Sequence, residues 1–239
     1  MKTTQHGDHL FQLTRMGAFN CYLVREDDGF TLVDTNLSGS AQAILDAARQ
    51  QQAPILRILL THAHGDHVGS VDALHQLLPE AEVIISARDA RFLTGNHSLD
   101  PDEPQAKLRG GYPIITTTPT RLLQPGERVG SLEAIASPGH TPGHLAFLDT
   151  RDHSLIAGDA YQTKGGIAVA GITRPLFPLP GMACWHLPTA VQSAKALRAL
   201  EPSRLAVGHG AVLEAPVGAM DQAIATAARK VAKQANHVA

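Results

Sequence analysis

Apolar residues fall in short runs along most of the chain, and each run is the length of a strand or a short helix. "HLFQLTR" (9–15), "AFNCYLVRE" (18–26) and "FTLVDT" (30–35) are apolar segments divided by Gly or acidic turns, and "DDG" at 27–29 is a hairpin signal. The period then changes. In "AQAILDAARQQ" (41–51), Ala41, Ile44, Leu45 and Ala48 recur at helical spacing. "ILRILLT" (55–61) is a continuous apolar strand apart from Arg57. "DHVGSVDALHQLLP" (66–79) reads as one helix with Val71, Leu74, Leu77 and Leu78 on a face, and "AEVIIS" (81–86) is strand again.

Residues 91–120 carry several Pro and Gly and read as a loop or insertion. Strand signals return at "LEAIASPG" (132–139), "HLAFLDT" (144–150) and "HSLIAGD" (153–159). Residues 160–187 are irregular, 188–202 is helical, 204–210 is a strand ending in a turn, and 216–234 is an Ala-rich helix. The order is strands, helix, strand, helix, strand, then strands, helix, strand, helix. It predicts sheets covered by helices, in one domain spanning 1–239, since no linker divides the chain.

Composition narrows the partners. With 239 residues, 44% hydrophobic and 18% charged, the chain can bury a substantial core. A formal net charge of −2 gives no reason to expect nucleic acid or an anionic membrane as partner. No apolar run reaches the ~18 residues a bilayer span needs, and "MKTTQHGDHLFQL" has no apolar signal core. Two cysteines, Cys21 and Cys184, do not make a disulfide framework. The expectation is a cytoplasmic protein with reduced thiols, a monomer or homodimer acting on a small molecule.

The 13 histidines are the unusual number. "LLTHAHGDHVG" (Leu59 to Gly69) places His62, His64, Asp66 and His67 directly after a buried strand. His62 and His64, two apart in extended backbone, point the same way. Asp66 and His67 open the next helix, so one segment aims several donors at one point. Imidazole and carboxylate suit a borderline cation such as zinc. Asp66 by itself would read as a helix N-cap, but four such residues together at a strand's carboxyl end point to metal. Three later strands end the same way, in His140, Asp159 and His209, each beside glycine.

"THAHGDHVG" followed by His140, Asp159 and His209 resembles the metallo-β-lactamase superfamily, over essentially the whole chain from "LVDTN" to "GHG". The resemblance implies an α/β fold, a four-layer αβ/βα sandwich of two mixed β-sheets flanked by helices. It assigns His62, His64 and His140 to a first metal, Asp66, His67 and His209 to a second, and Asp159 as the bridge. The implied cofactors are two zinc ions, with iron, manganese or cobalt able to use the same donors. Two divalent ions bring four positive charges, and Asp66, Asp159 and a bridging hydroxide remove three. Roughly +1 remains to polarise a carbonyl and hold an oxyanion. Ions ~3.5–4 Å apart share a water whose pKa they lower.

Other residues are placed around that centre. Asp34 of "LVDTN" matches a family Asp that supports the ligands, and by itself reads as an Asx-type turn. Thr61 and His144 are positioned to orient ligating imidazoles, His144 being equally a packed structural histidine. His75 and His186 are not assigned to metal, and His6, His9, His97, His153 and His237 have no evident company. Asp66 is the expected proton shuttle. The stretch 160–187 is apolar for a loop, and its Phe177, Met182 and Trp185 are the expected substrate wall. Tyr161, two residues after Asp159, is a candidate hydrogen-bond donor to the substrate carbonyl. The related acyl-homoserine lactonases place a Tyr near the bridging Asp at a different spacing.

The leading expectation is a dinuclear hydrolase of an ester, lactone or thioester of an apolar small molecule. A mononuclear iron persulfide dioxygenase, with similar length and much of the motif, is the alternative. β-Lactam hydrolysis ranks lower, because Asp159 stands where one lactam-cleaving subclass has Cys. Phosphodiester hydrolysis ranks lower because no basic patch is evident, and a non-catalytic metal-binding role because the ligand set is complete. Hydroxyacylglutathione hydrolases share the ligands but carry an added helical region.

Overall fold

The alternating segments near the start of the chain fold as antiparallel strands, Leu10–Arg15, Phe19–Arg25 and Phe30–Val33, each paired with the next. Short connections allow that pairing. The next partners, Ile55–Leu59, Glu82–Ser86 and Arg121–Leu123, run parallel and need crossovers. Helix Ala41–Gln50 makes the first crossover, and the helices Gly65–Val68 and Val71–Leu77 make the second. Phe30–Val33 is buried at every position and Ile55–Leu59 at its ends, which is why both read as apolar runs without alternation.

The computed structural model describes residues 1–236, and its contacts divide these into two units. The first holds Met1–His97 and Gly111–Ala134, and the second holds Ser98–Gly110 and the chain from Ile135 onward. His237 lies outside the described residues.

In the first unit the seven strands lie in chain order, beginning with Lys2–His6. That strand escapes the sequence pattern because "KTTQH" has no apolar side to alternate. It is an edge strand held by backbone pairing to Leu10–Arg15. Arg121–Leu123 is missed because it is three residues long with one buried side chain. The expected single helix over 66–79 is two helices, broken at Gly69 and Ser70. A Cβ on Gly69 would lie 2.5 Å from both Gly65 O and Ser38 N. The Ser70 amide donates to Thr35 Oγ1 at 3.1 Å and its hydroxyl to Leu37 O at 2.8 Å. The break thus seats this segment against residues 35–38, just beyond the strand end that carries Asp34.

In the second unit Leu145–Asp149 pairs antiparallel with Ser154–Ile156, which runs parallel to Arg204–Ala206, itself antiparallel to Leu213–Glu214. A hairpin, Arg128–Val129 with Leu132–Ala136, precedes these strands in sequence, its residues through Ala134 belonging to the first unit. The region expected to be irregular after residue 160 contains a small ribbon, Tyr161–Gln162 with Ala168–Val169, and a short helix, Leu179–Met182. The longer helices Leu187–Ala199 and Val217–Asn236 pack small residues, Ala190, Ala194, Ala223 and Ala227, into the core with Tyr161, Val169 and Leu205. Both sheets are mixed and flanked by helices, as the order of elements predicts. Cys21 and Cys184 are buried free thiols. No described helix is long and apolar enough to cross a membrane.

Candidate metal centre

Strand register sets up the first cluster. Val33 pairs with Leu59 and Leu59 with Ile84, so neighbouring strands end level. The chain leaves Phe30–Val33 through Asp34 in the left-handed region, φ 61°, a conformation Asp tolerates better than most residues. The buried Asp34 carboxylate accepts from the Thr61 amide at 2.8 Å, the Thr61 hydroxyl at 2.9 Å and His67 Nδ1 at 2.7 Å.

This network assigns the imidazole tautomers. A carboxylate only accepts, so His67 carries its proton on Nδ1 and presents a lone pair at Nε2. The one hydroxyl proton of Thr61 goes to Asp34. Thr61 Oγ1 therefore accepts from His62 Nδ1 at 3.0 Å, which leaves the His62 Nε2 lone pair facing His64 Nδ1 at 3.1 Å. Two basic nitrogens at that distance need a proton or a cation between them. The His62 and His67 rings are 4.0 Å apart, and Asp66 Oδ2 lies 4.0 Å from His67 Nε2. Asp66 is the open member, with 26% of its side chain exposed against 1% for His67.

The second unit carries a matching cluster. His140 Nε2 is 3.3 Å and His209 Nε2 3.2 Å from the same oxygen, Asp159 Oδ2. Asp159 sits in the short turn Gly158–Ala160 after the strand Ser154–Ile156. Its amide donates to His144 Nε2 at 3.1 Å, so His144 Nδ1 carries the proton and donates to Ser137 Oγ at 2.8 Å. Both nitrogens of His144 are thereby used, and it positions the Asp159 backbone while offering no lone pair to a metal.

Glycines bring these turns together. Gly139, φ 129°, packs so closely on the helix Leu187–Ala199 that a Cβ there would lie 2.3 Å from Ala190 N. Gly210, φ 112°, lies equally close to Lys164 N, and Gly208 N–H donates to Gly158 O at 2.9 Å.

The donor chemistry of these residues fits divalent metal. Every imidazole named as a ligand is buried, and neutral imidazole with carboxylate is the donor set that zinc and iron accept.

Several residues behave differently from expectation. Tyr161 is fully buried and its hydroxyl donates to Ala194 O in the helix Leu187–Ala199 at 2.8 Å. Burial pushes its phenol pKa up. It is a core residue, and the expected role as donor to a substrate carbonyl is corrected. Tyr161→Phe is expected to leave turnover unchanged and to cost about 1 kcal/mol of stability, measurable by urea denaturation. Of the expected substrate wall, Phe177 lies with its ring 5.2 Å from that of His209. Trp185 is buried, its amide donating to His140 O at 3.0 Å and its indole N–H to Ala106 O at 3.1 Å. Met182 is 60% exposed. His75 lies on the helix Val71–Leu77, and His186 Nδ1 is 2.7 Å from Thr189 Oγ1.

Three further residues near the clusters carry little or no signal in the sequence. Ser137 orients His144. Asp89, buried, accepts from the Ala63 amide between the two leading histidines at 3.1 Å. Tyr112 places its ring 4.6 Å from His64 and 4.8 Å from Phe92, with His97 5.4 Å away. The only trace of Tyr112 is an aromatic residue inside a segment otherwise read as loop.

Comparison with known proteins agrees with this geometry. Residues 16–209 match the family model for the metallo-beta-lactamase superfamily. "Uncharacterized protein YobT" of Bacillus subtilis is 51% identical over 94% of this chain and 97% of its own. A hydroxyacylglutathione hydrolase of Xanthomonas axonopodis pv. citri is 31% identical over 77% of this chain and 66% of its own. The crystal structure of TTHA1623, in a di-iron-bound form, superposes with a TM-score of 0.61 at 27% identity, covering 87% of this chain and 95% of that one.

Proposed function

The chain belongs to the metallo-β-lactamase superfamily, and from that premise we propose that it is a metal-dependent hydrolase cleaving a thioester, ester or lactone of an apolar small molecule. In this reading the centre is dinuclear. His62, His64 and His140 take one ion, Asp66, His67 and His209 the other, and Asp159 serves both. The family match supports it, because the matched residues 16–209 include all seven of these side chains. Zinc and iron are the fitting ions, and the solved neighbour was obtained with two irons. When bound, such ions polarise a carbonyl and lower the pKa of water toward neutrality.

The protein's own groups supply the rest. Asp34 and Thr61 hold His62 and His67 in the tautomers that present Nε2, so those rings need no reorganisation. Asp66, the most open of the cluster carboxylates, would take the proton from the attacking water with the carboxylate oxygen not engaged by metal and return it to the leaving group.

The substrate class rests on one observation. The loop that lays Phe177 against His209 also exposes Leu176 (84%), Leu179 (55%) and Met182 (60%). Phe177 beside His209, with exposed apolar residues next to it in the same loop, supports an apolar wall for an acyl chain. A thioester ranks first because the hydroxyacylglutathione hydrolase is a relative at 31% identity. The match covers only 66% of that enzyme, so its substrate is not carried over whole.

A panel of acyl thioesters, lactones and phosphodiesters of graded chain length tests the reading. Activity should favour the thioesters and rise with acyl length. Activity on phosphodiesters alone would refute it. Phe177→Ala should raise KM for the longer acyl substrates roughly tenfold, with kcat little changed, the scale of one large apolar contact.

A further inference from the structure

The stretch "GYPII" (111–115) lies in a region that reads as loop, yet it is fastened at both ends. Gly111 O accepts from the Gly65 amide at 3.0 Å, and the Ile115 amide donates to Leu93 O at 2.9 Å. The first bond ties the stretch to the residue that follows His64. Pro113 disfavours helical backbone at Tyr112, which limits the directions that side chain can take. Pro113 also covers Gly65, where a Cβ would meet Pro113 Cδ at 3.6 Å.

Tyr112 is thereby held against a buried imidazole. Its ring centroid is 4.6 Å from that of His64 and 4.8 Å from that of Phe92, each at an interplanar angle of 55°. Both separations lie at the close end of the range for packed rings. Phe92 is fully buried on the short helix Ala90–Leu93. Asp89, the residue before that helix, accepts from the Ala63 amide at 3.1 Å. The amides on both sides of His64 are therefore bonded, one to Asp89 and one to Gly111, and Tyr112 meets the ring between them. All of these residues belong to the first unit.

Asp34 and Thr61 orient His62 and His67 through hydrogen bonds. At His64 the flanking bonds fix the backbone and leave the imidazole to turn about its side-chain torsions. That rotation decides whether Nδ1 stays 3.1 Å from His62 Nε2. An aromatic ring packed against the imidazole, and backed by a core phenylalanine, opposes it. We propose, on the reading of His64 as a ligand, that Tyr112 is its positioning residue, holding the ring so that Nδ1 is kept beside His62 Nε2 for a metal ion. Packing does this without altering the charge at the centre, so the ring matters and the hydroxyl does not.

The experiment measures the affinity of the full-length protein for cobalt(II) by competition with a chelator, and the visible absorption of the bound cobalt, which reports ligand geometry. Tyr112→Leu should bind cobalt roughly tenfold more weakly and with an altered spectrum. Tyr112→Phe keeps the ring and should stay close to wild type in both. Thermal unfolding of the metal-free variants separates positioning from stability. A merely structural role would lower the unfolding temperature of Tyr112→Leu and leave the spectrum of its bound cobalt unchanged. Should Tyr112→Leu fail to fold, Tyr112→Met, with a flexible side chain, takes its place. The proposal is overturned by wild-type affinity and spectrum in Tyr112→Leu, by an unchanged spectrum beside lowered stability, or by an equal loss of affinity in Tyr112→Phe. His64→Ala is the control. If it weakens cobalt binding and Tyr112→Leu does not, His64 stays a ligand and only the positioning role fails. If His64→Ala binds cobalt as tightly as wild type, the ligand reading fails and the positioning role falls with it.

Discussion

Asp159→Ala protein should bind less metal than the wild type and turn substrate over roughly 10³-fold more slowly, or worse, while staying folded. The expectation follows from one atom. Asp159 Oδ2 lies within 3.3 Å of two imidazole nitrogens, one on the turn after the strand Leu132–Ala136 and one after Arg204–Ala206. It is the only acid in its cluster. Without it, His140 and His209 keep their nitrogens but lose the anion that offsets a divalent charge. The fold should survive because the Asp159 amide, which alanine retains, makes the bond to His144. Metal analysis with steady-state kinetics on the same preparation checks both parts. Undiminished metal and activity would remove Asp159 from the centre.

The second large effect is expected at Asp34, a residue that touches no substrate in this account. Asp34→Asn should lower metal affinity or activity about 10–100-fold, the usual effect of losing a partner behind a ligand. An amide replaces one carboxylate oxygen with a donor. The Thr61 amide, the Thr61 hydroxyl and His67 Nδ1 all donate to Asp34. Asparagine cannot accept all three, so His67 must surrender its bond or change tautomer. Asparagine also tolerates the left-handed backbone at φ 61°, so the variant isolates hydrogen bonding from backbone strain. A shift of the His67 ring nitrogen resonances in NMR would distinguish the tautomer change from general destabilisation. Unaltered resonances and full activity would contradict the role.

The course of the chain explains what could be read in advance. A ligand at the end of an apolar strand is legible because the strand is a local pattern and its end is marked by polarity. His62, His64, Asp66, His67, His140, Asp159 and His209 all stand at such ends. Asp34 was visible for the same reason, but its partners were not, because they depend on strands that end level across a sheet. Ser137 and Asp89 act through single long-range bonds that leave no periodic trace. Tyr161 shows the opposite failure. Its nearness to Asp159 in sequence suggested chemistry, but the ribbon Tyr161–Gln162 turns the side chain into the helix core. The break at Gly69 was missed because a helical pattern says nothing about backbone packing from residues 36–38. Lys2–His6 was missed because an edge strand can be held by its backbone alone.

The proposal most in need of a test is that the His62, His64, Asp66, His67, His140, Asp159 and His209 ligand set takes two metal ions and supports hydrolysis. The most direct test is metal content per chain in protein purified without added metal, repeated after chelation and reloading. The account predicts about two divalent ions per chain at saturation, as a two-metal hydrolase requires. Saturation at a single iron per chain would contradict it and favour the dioxygenase alternative, in which oxygen uptake on a persulfide substrate replaces hydrolysis.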